Sequence, residues 1–206
     1  MRTLSTLAAL LILGISAQAA HDPIPYPAKP LTIIEPSGNR ISLESLKGKV
    51  VVCEFMFTTC PHCQNAAKLF TKLQGEYGAQ GFKALGIAFN PEVQGHPEVV
   101  KSFVSQFGVG YPIGFATQDQ VLGYLQISKM EARWVVPQVM IVDRKGIVRA
   151  QSDPTGTEEV VDEKWLRPFI EKLLKEGTAS TSTIKGKSPA ADTNKAAPVA
   201  STKKPS

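Results

Sequence analysis

Two cysteines separated by two residues are the chemically distinctive feature of the chain, at Cys60 to Cys63 with the sequence CPHC. The apolar run from Val50 to Phe57, interrupted only by Glu54, is rich in β-branched and aromatic residues and predicts a strand buried on both faces. The apolar residues that follow the cysteines recur at helical spacing, at Ala66, Ala67, Leu69, Phe70 and Leu73. The two thiols are therefore predicted to lie at a strand-to-helix junction.

This position favours the thiolate form of Cys60. Pro61 fits the first helical position, because its missing N–H is not needed there and its φ is already helical. Cys60 then lies at the helix N-terminus, where unpaired N–H groups and the helix dipole stabilise an anion. Cys63 lies three residues further on the same side and can close a ring with Cys60. A pair that alternates between dithiol and disulfide is suited to thiol–disulfide exchange.

The two ends of the chain differ in composition from the region between them. The 206 residues, 43% of them hydrophobic, suit one globular domain with extensions. Residues 1–20 combine Arg2, an apolar stretch over 4–15 and small residues at 17–19, which predicts a signal peptide cleaved after Ala19 or Ala20. Because no cysteine for lipid attachment lies near this point, we expect an exported, periplasmic protein. A retained N-terminal membrane anchor is the alternative.

Residues 177–206 consist mainly of Ala, Ser, Thr, Lys and Pro, with Ile184 and Val199 as the large aliphatic residues. Such a segment buries too little apolar surface to order itself and is predicted to be a disordered tail. The net charge of +5 comes from the ends, from Arg2 and five tail lysines against Asp192. The 17 basic and 17 acidic side chains between them balance. The basic composition therefore does not indicate a nucleic-acid site.

The remaining pattern alternates strands and helices. A proline-rich lead over 21–30 is predicted to run extended, and a hairpin to follow over 31–34 and 40–43. Further strands are predicted over 50–57, 82–89, 111–116, 138–142 and 147–151. Helices are predicted after the cysteines and over 97–107, 118–125 and 158–176. This order indicates a sheet with a parallel core and an antiparallel edge.

The strand, the CPHC sequence, a Val-Pro pair before a strand hairpin and the closing helix together resemble a thioredoxin fold. This is an α/β fold in which helices flank a central mixed sheet. The N-terminal β-hairpin and the βα insertion between residues 94 and 130 resemble the TlpA/ResA branch of exported thiol-disulfide oxidoreductases. The resemblance covers roughly residues 31–176, the predicted thioredoxin-like domain. It implies an enzyme that exchanges disulfides with protein dithiol or disulfide substrates and with a membrane or periplasmic redox partner. It implies no bound cofactor or metal, and no nucleic acid.

The resemblance also assigns roles to site residues. Cys60 would be the nucleophile and Cys63 the resolving thiol, and together they would form the redox disulfide. Pro137 would be cis and would leave the Val136 backbone free to pair with an incoming chain. The alternative is a trans proline that starts an edge strand. Trp134, just before this turn, is expected either to line the peptide groove or to pack in the core.

Two further residues could tune the thiols. Glu54 occupies the position where thioredoxin carries a buried acid; burial would raise its pKa and allow proton exchange with Cys63 through water. A Glu54 that reaches solvent at the sheet end is the alternative. His62 can stabilise the Cys60 thiolate and make the disulfide more oxidising, or be exposed with little effect. The Pro-His pair is shared with the oxidant DsbA, whereas the scaffold resembles reductases; we expect the reductase direction.

Other functions that use cysteines make different demands. Cys53 is predicted to be a buried core residue, too far from Cys60 for a disulfide, and a free regulatory thiol is the alternative. A peroxiredoxin would need Thr or Ser three residues before its cysteine, where this chain has Phe57. A copper carrier of the Sco type is the alternative function. It needs a distant third ligand, usually His, and His96 lies only 33 residues after Cys63.

Overall fold

A computed structural model of the chain describes residues 23–128, 130, 133–156 and 158–178. Strands and helices alternate along most of it. The strands are β1 Tyr26–Pro27, β2 Thr32–Ile34, β3 Arg40–Ser42, β4 Val50–Met56, β5 Phe82–Ala88, β6 Ile113–Phe115, β7 Gln138–Val142 and β8 Ile147–Gln151. The helices are α1 Pro61–Tyr77, α2 Pro97–Phe107, α3 Gln118–Leu125, α4 Glu158–Val161 and α5 Glu163–Thr178.

All eight strands belong to one mixed sheet in the order β1-β8-β7-β4-β5-β6-β2-β3. Strands β4, β5 and β6 run parallel, while β7 pairs antiparallel with β4 on its other side. The hairpin β2-β3 joins the sheet antiparallel to β6. The predicted α/β fold, with a parallel core, antiparallel edges and an N-terminal hairpin, is confirmed.

The central strand β4 separates two hydrophobic cores, because its alternate side chains point to opposite faces of the sheet. The core under α1, α2 and α5 is here called the α1 face, and it takes Val50, Val52 and Met56 from β4. The core under α3 and the hairpin is called the α3 face, and it takes Val51, Cys53 and Phe55. Every residue of β4 is buried, including Glu54, as predicted for this largely apolar run.

The closing helix differs from its prediction as one helix over 158–176. It is divided into α4 and α5, with Asp162 between them. The Asp162 side chain accepts a hydrogen bond from the Lys164 N–H at 3.0 Å, and its backbone carbonyl accepts from the Leu166 N–H at 2.8 Å. This aspartate therefore begins a new helix by capping its free N–H groups.

The N-terminal lead also differs in part from the prediction. Tyr26 and Pro27 form β1, which pairs antiparallel with Val148 and Ile147 of β8 at the edge of the sheet. The predicted signal peptide and the tail beyond residue 178 lie outside the described residues, and residues 177–178 belong to α5. Within the part of the chain that the structure describes, every helix is too short or too polar to cross a membrane.

Candidate active site

The turn between β4 and α1 holds the two cysteines at one end of the sheet. Cys60 is the N-cap of α1, with φ −84° and ψ 122°, and Pro61 follows at the helix start. The Cys60 Sγ accepts a hydrogen bond from the Cys63 N–H at 3.5 Å. Cys60 is partly exposed, Cys63 is fully buried, and both are free thiols. The predicted strand-to-helix junction is therefore present.

The two thiols differ in their surroundings. Burial raises the pKa of the Cys63 thiol, and the nearby Cys60 and Glu54 raise it further, although a backbone hydrogen bond from Phe57 opposes them. Cys60 instead is partly exposed at the N-terminus of a helix 17 residues long. An accessible sulfur at a helix N-terminus thus lies in front of a shielded one that retains its proton.

A buried side-chain clamp fixes the turn that carries Cys60. The Asn90 carboxamide accepts a hydrogen bond from the Thr58 N–H at 3.1 Å and donates one to the Thr58 hydroxyl at 3.0 Å. The Gln64 side chain also donates to the Thr58 carbonyl, at 3.2 Å. Asn90 follows β5, whose end lies beside the end of β4 because the two strands are parallel. The position of Asn90 just after a predicted strand parallel to β4 could have indicated its contact with the cysteine turn. Our sequence analysis did not identify Asn90.

A second loop approaches the cysteines from β7. The Val136–Pro137 bond is cis, and the Cys60 thiol lies 3.5 Å from the Val136 carbonyl oxygen, to which its S–H can donate. The trans alternative does not hold. The buried Gln138 side chain donates hydrogen bonds to three carbonyls of the neighbouring loops, those of Val135, Asp153 and Pro154, at 2.8 to 3.3 Å. These bonds hold the loop that places the Val136 carbonyl beside the Cys60 sulfur.

An aromatic cluster borders this loop. The Trp134 ring lies 5.9 Å from the rings of both Phe57 and Phe89, measured between centroids. Trp134 and Phe57 are half-buried, and the next residue, Val135, is 39% exposed. The Trp134 ring therefore packs against the core while part of it stays exposed. Its expected role in lining a peptide groove stays a prediction.

Glu54 lies on the α1 face of the sheet, the same face as Cys63. It is fully buried, which excludes the solvent-exposed alternative. Burial raises its pKa to about 8, although a hydrogen bond from Tyr111 opposes the rise. The Tyr111 hydroxyl donates to Glu54 Oε2 at 2.6 Å. Tyr111 was predicted as part of a strand, and no local sequence pattern indicated its role as the partner of Glu54.

The same region of the chain matches a protein-family model. Residues 24–151 match the model of the AhpC/TSA family, which is more than half of the chain. The chain belongs to the AhpC/TSA family. This family lies within the thioredoxin superfamily, so the fold that the resemblance implied is confirmed.

Several curated proteins resemble this AhpC/TSA family member. The chain is 29% identical over 154 residues to the SCO1 protein homolog of Bacillus subtilis (strain 168), covering 74% of this chain and 72% of the relative. It is 28% identical over 127 residues to the thiol-disulfide oxidoreductase ResA of Halalkalibacterium halodurans, covering 61% and 66%. The chain thus spans just under two thirds of the length of that ResA. These similarities support an oxidoreductase of the thiol-disulfide type.

A solved structure extends the comparison to the fold. The thiol:disulfide interchange protein of the thioredoxin family from Chlorobium tepidum TLS superposes with a TM-score of 0.59 and 23% sequence identity. The superposition covers 75% of this chain and 99% of that one. At this level of identity the likeness shows that the fold is shared.

The other residues predicted near the cysteines lie on the first turn of α1 and on β4. Pro61 and His62 are exposed on the first turn of α1 and directly follow Cys60 in the sequence. Cys53 is fully buried on the α3 face, and burial raises its pKa to about 12. Because successive strand residues point to opposite faces, Cys53 is separated from Cys63 by the sheet itself. Cys53 is a core residue, as predicted.

The possible metal ligands near Cys60 and Cys63 are relevant to the copper-carrier alternative. Among residues 23–128, 130, 133–156 and 158–178, no group of three or more His, Cys, Asp and Glu side chains is arranged to hold a metal ion. His96 pairs instead with Glu98 near the start of α2, with 2.8 Å between Nδ1 and Oε1. Among the described residues, Cys60 and Cys63 are therefore not part of a group of three such donors.

Proposed function

We propose that the protein is an exported thiol-disulfide oxidoreductase that exchanges disulfides with protein substrates through Cys60 and Cys63, working as a reductase. The observation that carries this proposal is the asymmetry of the pair. Cys60 is partly exposed beside the Val136 carbonyl, and Cys63 is buried behind it. Two-step exchange requires an accessible nucleophile and a second thiol that stays protonated until a mixed disulfide has formed.

The reaction begins when the Cys60 thiolate attacks a substrate disulfide. The substrate releases one sulfur as a thiolate, and the other becomes bonded to Cys60. Cys63 then loses its proton to Glu54 and attacks Cys60, which releases the second substrate sulfur and closes the Cys60–Cys63 disulfide. Glu54 suits this role because its raised pKa, about 8, lies near the working pH. A redox partner protein returns two electrons to the pair, and no bound cofactor is required.

Substrate capture uses the backbone of Val136. An extended substrate segment adds to it as a strand would, next to the cis Pro137, and this places the substrate sulfur at Cys60. The half-buried Trp134 and the exposed Val135 supply apolar contact beside that segment. We therefore expect protein substrates whose cysteine lies in an extended, partly apolar segment, as in proteins that are not yet folded.

His62 and the partner determine the direction of electron flow. An imidazole that follows Cys60 in the chain can favour the reduced form of the pair and so raise the potential of the couple. The equilibrium potential of Cys60–Cys63 against glutathione tests the direction. A reductase gives a value near roughly −270 mV, whereas an oxidant gives one near roughly −120 mV. His62→Ala should lower the potential; an unchanged potential would remove His62 from the mechanism.

Export rests on residues 1–20 and is tested separately. Expression of the full chain in a bacterium should give a periplasmic protein whose N-terminus, determined by mass spectrometry, lies after Ala19 or Ala20. A protein that stays in the membrane fraction with residues 1–20 intact would support the retained anchor. An unprocessed protein in the cytosolic fraction would contradict export.

Variants of the three cysteines test the exchange reaction. Cys60→Ser should abolish reduction of insulin disulfides, because it removes the nucleophile. Cys63→Ser should trap a mixed disulfide between Cys60 and the substrate. Cys53→Ala is the matched control, since it removes a thiol from the opposite face and should leave the rate unchanged. Trapping by Cys60→Ser instead would reverse the two roles, and activity in both variants would exclude the proposal.

Copper binding is the second candidate function, and the similarity to the SCO1 protein homolog favours it. Soft thiolates bind Cu(I), so anaerobic titration distinguishes the two functions. Exchange predicts Cu(I) binding that a competing chelator removes, together with insulin reduction. Tight one-to-one binding that survives the chelator, without exchange activity, would establish the copper carrier instead.

A further inference from the structure

The buried carboxyl of Glu54 is hydrogen-bonded through one oxygen and not through the other. Oε2 accepts the Tyr111 hydroxyl at 2.6 Å. Oε1 has no hydrogen-bond partner among the residues that the structure describes, although it is fully buried. A buried carboxyl oxygen without a partner costs free energy, so its retention in a packed core indicates a use.

The surroundings of Glu54 direct that use towards the thiols. Its sheet neighbours are Gly86 on β5 and Val139 on β7, neither of which titrates. Helices α2 and α5 contribute apolar side chains to the same core, namely Val100, Phe103, Leu166 and Ile170. The titratable groups that act on Glu54 are Tyr111 and, from α1, Cys63. The charges of Glu54 and Cys63 act on one another and on Tyr111.

Tyr111 is held rigidly in the segment between α2 and β6. On one side of it, the Gly110 N–H donates to the Thr71 hydroxyl of α1 at 3.1 Å. On the other side, the Pro112 carbonyl accepts from the Gly86 N–H of β5 at 2.9 Å. The Tyr111 ring is itself buried, with 5% exposure. Its hydroxyl is thus fixed relative to both the cysteine helix and the strand next to Glu54.

On the basis of the proposed exchange reaction, we propose that Tyr111 is a positioning residue that engages Glu54 Oε2 and thereby keeps Oε1 free to take the Cys63 proton. In the resolving step, the Cys63 S–H proton passes to the Glu54 carboxylate. The resulting thiolate forms the bond to Cys60 Sγ while the bond from Cys60 to the substrate sulfur breaks. The substrate sulfur leaves with the electron pair and takes a proton from water.

This role gives the Tyr111 hydroxyl a measurable effect on pH dependence. The bond from Tyr111 lowers the pKa of Glu54, so Tyr111→Phe should raise it. At a pH below the inflection, less carboxylate is then available to accept the proton. For a rise of about one pKa unit, which is typical of a lost hydrogen bond to a charged group, the resolving step slows about tenfold at pH 7.

Reaction of the reduced protein with 5,5′-dithiobis(2-nitrobenzoate) in a stopped-flow instrument isolates this step. Attack by Cys60 releases the first thionitrobenzoate, and resolution by Cys63 releases the second. In the wild-type protein, the rate of the second release should rise with pH to an inflection near 8, the pKa of Glu54. In Tyr111→Phe the inflection should move about one unit higher, while the first phase keeps its wild-type rate.

Matched variants separate positioning from a structural effect. Glu54→Gln should abolish the inflection, and adding Tyr111→Phe to it should slow the second phase no further. Tyr124→Phe is the control, because that hydroxyl donates to the Lys29 carbonyl at 3.0 Å on the α3 face and should not move the inflection. If Tyr111→Phe does not fold, Thr71→Val tests the same claim. It loosens the Tyr111 segment and should shift the inflection upwards by less.

The outcomes are distinct. A wild-type inflection in both Tyr111→Phe and Thr71→Val, with normal two-phase release, would overturn the role of Tyr111 and leave the exchange function intact. Release of a single thionitrobenzoate by the wild-type protein would instead contradict the exchange function itself.

Discussion

On its α1 face strand β4 carries Glu54, and on its α3 face, one residue earlier, it carries Cys53. Both side chains are fully buried, and burial raises the pKa of each. A tyrosine lies near each of them: Tyr111 donates its hydroxyl to Glu54, whereas Tyr124 donates to the Lys29 backbone carbonyl. Desolvation raises the pKa of both groups alike. Only Glu54 also accepts a tyrosine hydrogen bond and shares its face of the sheet with Cys63.

The largest expected difference between the two faces is in the pH dependence of stability. The Glu54 carboxyl ionises near pH 4.5 in the unfolded chain and near 8 in the folded protein, so the unfolded state loses its proton first. The free energy of unfolding should therefore fall as pH rises from 4.5 to 8, by about 5 kcal/mol in total. Urea titrations across this range should show the fall in the wild-type protein and not in Glu54→Gln.

Cys53→Ala is the matched control for this measurement. The pKa of Cys53 is raised from 9.0 to about 12, so its contribution to pH dependence lies above pH 9. The variant should keep the wild-type slope between pH 4.5 and 8. If the free energy of unfolding changed equally with pH in the wild-type protein and in Glu54→Gln, the raised pKa of Glu54 would be contradicted.

The rates at which Cys60 and Cys53 are alkylated measure how accessible each thiol is. Cys60 is partly exposed, so iodoacetamide should modify it directly, whereas Cys53 must wait for the core to open. We expect Cys53 to react at least about a thousandfold more slowly than Cys60, the factor for an opening free energy of about 4 kcal/mol. Peptide mass spectrometry of the reduced protein measures both rates. Rapid labelling of Cys53 would contradict its assignment to a closed core.

A smaller effect is expected from the clamp on the turn that follows β4. Asn90→Ala removes two hydrogen bonds to Thr58 and should destabilise the protein by about 2 kcal/mol. It should also slow insulin reduction, because the turn positions Cys60. Gln94→Ala is the control, since it removes an exposed amide that donates to the Ala116 carbonyl and should change stability by less than about 0.5 kcal/mol. A fully active Asn90→Ala would limit the clamp to a structural role.

The sequence predicted those features that depend on local pattern. The bounds of α2, α3, β7 and β8 agree with the predicted ranges, because apolar periodicity and adjacent Pro, Gly and Thr residues define them within a few positions. The junction that carries Cys60 and Cys63 is equally local: a buried strand, a proline suited to a helix start and an amphipathic segment follow one another.

Features that depend on distant contacts were missed. Tyr111 and Glu54 are 57 residues apart in the sequence, and their hydrogen bond exists only because β5 and β6 bring Tyr111 over the α1 face. Asn90 was missed for a similar reason, because its hydrogen bonds reach Thr58 in the turn after β4, which is 32 residues earlier in the chain. The division of the closing helix at Asp162 had a local signal, a capping residue, which the surrounding helical pattern concealed.

Strand β1 has a practical consequence for work on the protein. Tyr26 and Pro27 pair with Val148 and Ile147 and so cover that part of the outer edge of β8. A shortened chain that starts after Pro27 would leave the N–H and C=O groups of that edge open to a strand from another molecule. Recombinant forms should therefore start upstream of Tyr26, because removing β1 would expose the backbone of Ile147 and Val148 to pairing with another molecule.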